Sequence, residues 1–258
     1  MYKDIMEIYE SLKYIENEDN NIQPTFLYNE GWMLKLVLKW FHMNKNLFHE
    51  LAIKEQSKWY SEALLSSKFL PVFHGDKLAE SYTHADGVYG DFRIGGNGFG
   101  DLILMENCRE FVVVEAKMFS KYSRGIKNAL NYNQAARNVA CMCNIVVNSG
   151  QNPENISFYT VIPKIQMTEE LTFSEYINIE HIKQTVLNRV NQYINRDDHH
   201  EKNQWYYDSF LPFCGKIKIG LLSWEDIIEF ITLKNSEYGN NLNSFYQLCI
   251  KYNRKFKQ

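Results

Sequence analysis

Apolar and polar residues follow two different periods along the chain, which predicts a protein that contains both helices and strands. Two short apolar runs, residues 102–104 and 111–114, are joined by a polar stretch and predict two strands connected by a turn. The second run is too apolar for an exposed strand, so we expect it to be buried. Residues 88–94, 156–162 and 216–222 predict three more strands.

Helical spacing of apolar residues predicts the remaining elements. Asn29 and Ser223 are the expected N-caps of two of these helices, because their side chains can accept a hydrogen bond from a free backbone N–H. A short amphipathic helix is also expected before residue 24. The other predicted helices span residues 30–43, 48–67, 126–144, 182–194, 224–231 and 242–252.

The composition is that of a folded protein. Of its 258 residues, 45% are hydrophobic and 15% aromatic, which is ample for a packed core in one domain. The number of cysteines is odd, five, and their spacing is irregular, which argues against a disulfide scaffold or a zinc site. We therefore expect free thiols in the core and a cytoplasmic location. No apolar run has signal-peptide or transmembrane character, and no membrane partner is expected.

The balance of charge limits how the chain could bind nucleic acid. Its formal net charge is −3, whereas a protein that coats DNA is usually basic. Any contact with nucleic acid must therefore use a local patch or bridging metal ions.

The candidate chemistry lies around the two apolar runs at residues 102–104 and 111–114. Asp101 begins the first strand, and Glu115, Ala116 and Lys117 end the second. Period-two alternation places Glu115 and Lys117 on one face, and an antiparallel neighbour could bring Asp101 close to Glu115. Two carboxylates suit a hard divalent cation such as Mg²⁺, and a lysine beside them can orient a water or help to deprotonate it. The alternative is a salt-bridge ladder at a strand end.

This arrangement, an Asp-led strand followed by Phe-Val-Val-Val-Glu-Ala-Lys and then a helix, resembles the PD-(D/E)xK nuclease superfamily over roughly residues 86–163. The resemblance implies an α/β, restriction-endonuclease-like αβββαβ core, with a central mixed sheet flanked by helices. The whole chain, 1–258, would be one domain with its core at roughly 48–163 and extra N- and C-terminal helices.

The resemblance also implies roles for individual residues. Asp101, Glu115 and the carbonyl of Ala116 would hold Mg²⁺ or Mn²⁺, and Lys117 would position the attacking water. An acid on the first core helix would complete the metal site. Two candidates stay open for that acid, Glu30 and Glu62.

The long helix after the second strand resembles the helix that carries a Gln-x-x-x-Tyr motif in one branch of the superfamily. Gln134 matches the first position and is expected to line the site, but Asn138 stands where the motif has tyrosine, so the match ends at Gln134. We also expect His84, Asp86 and Arg137 to contact substrate.

The implied function is a metal-dependent nuclease acting on DNA, in restriction, defence or repair. A homodimer would suit an enzyme that cuts both strands. The alternative is a catalytically silent domain of the same fold that binds nucleic acid or a partner protein.

Overall fold

A computed structural model describes residues 23–95, 100–125, 128–169 and 171–254, so the helix predicted before residue 24 lies outside the described residues. In chain order the elements are a 3₁₀ turn (Pro24–Phe26), α1 (Glu30–Met43), β1 (Lys58–Leu65), β2 (Thr83–Gly90), β3 (Phe92–Ile94), β4 (Leu102–Leu104), β5 (Glu110–Ala116), α2 (Gln134–Ser149), β6 (Asn155–Ile162), α3 (Lys164–Glu169), α4 (Leu171–Tyr176), α5 (Ile179–Asn191), α6 (His199–Trp205), a π-helical turn (Tyr206–Phe210), α7 (Leu211–Cys214), β7 (Lys218–Ser223), α8 (Trp224–Lys234) and α9 (Ser236–Asn253).

A mixed five-stranded sheet forms the centre of the protein, in the order β1-β2-β5-β6-β7. β2 pairs antiparallel with β1 and β5, whereas β6 pairs parallel with β5 and β7. Every residue of β5 is buried, because this strand has a neighbour on each side and helices cover both faces of the sheet. The predicted burial of this apolar run and the α/β class are confirmed.

The two faces of β5 belong to two hydrophobic clusters. Phe111 and Val113 pack on the face covered by α2 and α5. Val112 and Val114 pack on the other face, covered by α1, α8 and α9. This alternation is the period of two that a strand imposes on its side chains.

The predicted helix caps are confirmed. The side chain of Asn29 accepts a hydrogen bond from the Trp32 N–H at the start of α1, and that of Ser223 accepts one from Asp226 at the start of α8. All five cysteines are buried and free, as core thiols would be. None of the helices in the described part of the chain combines the length and apolar composition needed to span a bilayer.

The helix predicted over residues 48–67 is wrong, because the second half of this segment is strand β1. β1 aligns with β2 over its whole length, and Ala63 and Leu65 alternate with more exposed neighbours. This period of two outweighs the helical spacing of Trp59 and Ala63. Glu62 is therefore a strand residue, with a left-handed backbone (φ 57°).

The strand that begins at Asp101 was expected to be the antiparallel neighbour of β5, and this prediction is also wrong. β4 pairs with β3 in a separate two-stranded sheet, while β5 has β2 and β6 on its two sides. Asp101, at the start of β4, bridges to Leu64 of β1. A three-residue strand cannot cover the long buried edge of β5, and the eight-residue β2 lies there instead.

Helix α2 begins later than the predicted residue 126. Residues 126–127 lie outside the described part, and residues 128–133 form turns and loop. The side chain of Asn133 caps the helix by accepting a hydrogen bond from Ala136 N–H. Gln134 is thus the first residue of α2.

Candidate functional site

The candidate site lies at the carboxyl end of β5. Glu115 is fully buried there, and Lys117 is only 8% exposed. The ammonium of Lys117 donates a hydrogen bond to Oε1 of Glu115 at 2.5 Å. The structure therefore brings these two predicted residues together on one face of the strand.

The second carboxylate at this position is Asp86, not Asp101. Gly87 of β2 pairs with Val114 of β5, so the register places Asp86 beside Glu115. Oδ2 of Asp86 accepts a hydrogen bond from Ala116 N–H at 2.8 Å, and its negative charge acts on the Glu115 carboxyl. The sequence predicts a substrate contact for Asp86, and the structure places its side chain beside Glu115.

Charge at the site is unusual for a protein interior. Burial raises the pKa of the Glu115 carboxyl, and the neighbouring Asp86 carboxylate raises it further, while Lys117 opposes the change. Burial alone would lower the pKa of Lys117, but Glu115, Asp86 and Glu30 outweigh that effect and the pKa is raised. Lys117 thus keeps its positive charge beside acids that repel one another.

Two amides on α2 complete the surroundings of Glu115. The side-chain N–H of Gln134 donates to Oε1, and Nδ2 of Asn138 donates to Oε2 at 3.1 Å. The four-residue spacing puts both amides on the same face of the helix. Gln134 was expected here. Asn138 was missed, although its spacing from Gln134 was a usable signal.

Both candidate helix acids lie near Asp86. Burial raises the pKa of Glu30, which also interacts electrostatically with Lys117 and Asp86. Glu62 lies opposite Asp86 in the β1–β2 register, between the pairs Ser61–Gly87 and Ala63–Ala85. Its Oε1 also lies 3.9 Å from the point where a Cβ on Gly31 would stand, beside the first turn of α1.

A tyrosine that the sequence did not reveal borders the lysine. The Tyr122 hydroxyl is hydrogen-bonded to Oγ1 of Thr160, and both residues are buried. The ammonium of Lys117 lies 6.0 Å from the centroid of the Tyr122 ring. The Tyr122 ring, held by this bond to β6, thus lies next to the ammonium of Lys117.

The other two predicted substrate contacts are His84 and Arg137. His84 is exposed on β2, two residues before Asp86. Arg137 belongs to a buried polar cluster in which it interacts with Glu80 and Tyr132. Substrate contact by these two residues remains a prediction.

The donor set fits a hard divalent cation. The fully buried Glu115 and the half-buried Asp86 lie side by side across β2 and β5, an arrangement of carboxylates that a cation would stabilise. Within the described ranges no three Asp, Glu, His or Cys side chains are grouped closely enough to form a complete cage. Mg²⁺ does not require one, since it commonly takes one or two carboxylates and keeps several waters.

No protein-family model, no curated protein and no solved structure matches this chain. Its function is therefore inferred from the geometry around Glu115.

Proposed function

We propose that this protein is a metal-dependent nuclease that hydrolyses phosphodiester bonds in DNA and has a restriction-endonuclease-like fold. The observation that supports this most is the pairing of the half-buried Asp86 with the fully buried Glu115, which also binds Lys117, at the end of the central strand β5. Two acids that can hold a metal ion and a lysine beside them are side chains that can support metal-assisted hydrolysis of a phosphodiester.

The order of the elements supports the proposed fold. α1 precedes β1, β2 and β5, which form an antiparallel meander in the sheet, and α2 then leads to β6, parallel to β5. This is the αβββαβ succession expected from the resemblance, with α1 rather than residues 48–67 as its first helix. β7 extends the sheet by one strand beyond that core.

Asp86, Glu115 and the carbonyl of Ala116 would hold Mg²⁺ or Mn²⁺, with Glu30 or Glu62 next to them. When bound, the ion would stabilise the negative charge that develops on the phosphate and lower the pKa of a bound water. The Ala116 N–H fixes the Asp86 carboxylate, and the amides of α2 fix that of Glu115. Both carboxylates are thus oriented by the chain itself.

Lys117 would act as a charged donor. Three surrounding carboxylates raise the pKa of its ammonium, so it remains protonated and can donate to a phosphate oxygen or to the attacking water. This favours positioning and charge compensation over proton abstraction by the lysine.

The test is cleavage of labelled linear, circular and single-stranded DNA and of an RNA control, each with Mg²⁺, Mn²⁺ or EDTA. Wild type and Glu115→Ala are compared side by side. We expect metal-dependent cutting of DNA by the wild type and none by the variant. Cutting in EDTA, or equal cutting by the variant, would refute the proposal.

Calorimetry with Mn²⁺ distinguishes the enzyme from the silent binding domain. The enzyme binds the ion and loses binding in Glu115→Ala. A protein that binds DNA but no Mn²⁺, and cuts nothing, would instead be the binding domain.

A further inference from the structure

Asn138 is a polar residue in the core, where burying its amide has a free-energy cost. It is fully buried in the middle of α2, and Nδ2 donates to Oε2 of Glu115 at 3.1 Å. Its other amide atom, Oδ1, is buried and has no hydrogen-bond partner among the described residues. A buried acceptor without a partner destabilises the fold. Stability alone therefore does not account for an asparagine at this position.

The bond that Asn138 makes is the one that holds the second oxygen of Glu115. Oε1 of Glu115 receives two donors, from Lys117 and Gln134, whereas the described donor to Oε2 is Asn138. The last torsion of a glutamate side chain has broad minima. Donors at Oε1 alone leave the plane of the carboxylate free to turn, and a donor at Oε2 fixes it.

The orientation of this carboxylate matters because Asp86 is already fixed. Oδ2 of Asp86 is held by the Ala116 N–H, so one side of the acid pair is set by the backbone. The other side, Glu115, is set by side chains of α2. Groups that orient a metal ligand in this way commonly change metal affinity when they are removed.

We propose that Asn138 is a positioning residue that fixes the Glu115 carboxylate in the orientation that binds a divalent cation. This role rests on the proposed function, in which Glu115 is a metal ligand. Asn138 acts through Glu115 and need not touch the ion or the substrate. Its removal weakens metal binding about 10–100-fold.

Asn144 provides a matched control on the same helix. It is also buried, and its Nδ2 donates to the backbone carbonyl and the hydroxyl of Ser66 at 3.3 and 3.2 Å. Asn144→Leu therefore removes hydrogen bonds from a buried asparagine of α2 without touching the contacts of Glu115. A general effect of losing a buried amide would appear in both variants.

The experiment is calorimetric titration of the full chain with Mn²⁺ alone, for wild type, Asn138→Leu and Asn144→Leu, with circular dichroism to verify folding. We expect the dissociation constant to rise about 10–100-fold in Asn138→Leu. The Asn144→Leu value should stay close to wild type. If Asn138→Leu does not fold, Asn138→Ala replaces it with the same expectation.

The outcomes separate this role from the function on which it rests. Wild-type affinity in the folded Asn138 variant, or an equal loss in both variants, would overturn the role of Asn138 and leave the nuclease proposal standing. A wild type that binds no Mn²⁺ would overturn the metal site itself, and the role of Asn138 with it.

Discussion

Glu115 is held by donors from two elements, Lys117 after β5 and the amides Gln134 and Asn138 of α2. Such a carboxylate would ordinarily be stabilised in its charged form by so many donors. Here full burial and the adjacent Asp86 carboxylate outweigh them, and the pKa is raised from 4.5 to about 8. A bound cation would therefore displace the proton that Glu115 carries in its absence.

This raised pKa predicts how stability depends on pH in the absence of metal. Between pH 4.5 and about 8 the folded protein binds more protons at Glu115 than the unfolded chain does. The stability from this group is thus fully present below pH 4.5 and is lost as pH rises to about 8. In Glu115→Gln that loss should be absent. We expect the free energy of unfolding of the wild type, measured with denaturant, to fall relative to the variant by at least about 1.4 kcal/mol between pH 5 and 8, the equivalent of one pKa unit.

Parallel pH–stability curves for the two proteins would contradict the raised pKa. Repeating the series with saturating Mn²⁺ provides a control, because a metal ion favours the ionised carboxylate. The wild type should then gain stability as pH rises.

Lys117→Met tests the role of the ammonium while preserving the length of the side chain. We expect DNA cleavage to fall about 10²–10³-fold, as when a donor to a developing negative charge is removed. Mn²⁺ binding should be retained or become tighter, because the lysine no longer competes for Glu115. Cleavage assays and calorimetry give the two readouts, and wild-type turnover by this variant would show that Lys117 has no catalytic role.

At the scale of elements, the packing of α1 on β2 sets the relation between Glu30 and Asp86. The two elements approach closely at Gly87, where an added Cβ would come within 2.7 Å of Leu38 and 2.9 Å of Leu34. A larger residue at this position would have to displace the side-chain tips of Leu38 and Leu34. Gly87 thus allows Glu30 of α1 to lie near Asp86 of β2.

Gly87→Ala should accordingly destabilise the protein by about 1–3 kcal/mol through overpacking. Thermal unfolding of this variant, of Leu38→Ala and of the double variant measures the effect. Because the alanine methyl would occupy space that Leu38 vacates, the double variant should be more stable than the sum of the two single losses implies. Strict additivity would mean that α1 does not contact β2 at Gly87.

The sequence was most informative where one period dominates. β5 and β6 were predicted from continuous apolar runs, and the caps Asn29 and Ser223 from local hydrogen-bond chemistry. β1 was missed because its apolar residues also fit a helical spacing, and only the pairing with β2 decides between the two periods. Strand pairing is a tertiary property, so a local pattern cannot settle it.

At the scale of the whole molecule, the same limitation explains the exchange of Asp101 for Asp86. Asp101 immediately precedes β4 and Asp86 lies within β2, and the choice between them depends on which strand borders β5. Glu115, Lys117 and Gln134 were found from the sequence because they lie on β5, just beyond it, and on the helix that follows. Tyr122 could be found only from the fold, whereas the four-residue spacing of Asn138 from Gln134 was a signal in the sequence.

The net charge of −3 gives the proposed cation a role in DNA binding as well as in cleavage. A pair of acids on an acidic protein repels a phosphate backbone until a divalent ion compensates it. Binding of DNA, and not only its cleavage, should therefore require the ion. Fluorescence anisotropy of labelled DNA in Ca²⁺ compared with EDTA measures this; equal affinity in both would contradict it.

The most direct test of the account compares Asp86→Asn with Asp101→Asn in metal-dependent cleavage of plasmid DNA. Both substitutions replace one carboxylate by an amide, at the half-buried Asp86 and the buried Asp101, but Asp86 is the one that the β2–β5 register places beside Glu115. We predict that Asp86→Asn abolishes cutting in Mg²⁺ and Mn²⁺, whereas Asp101→Asn cuts at close to the wild-type rate. Wild-type cutting by Asp86→Asn, or its loss only in Asp101→Asn, would contradict the assignment of the active site.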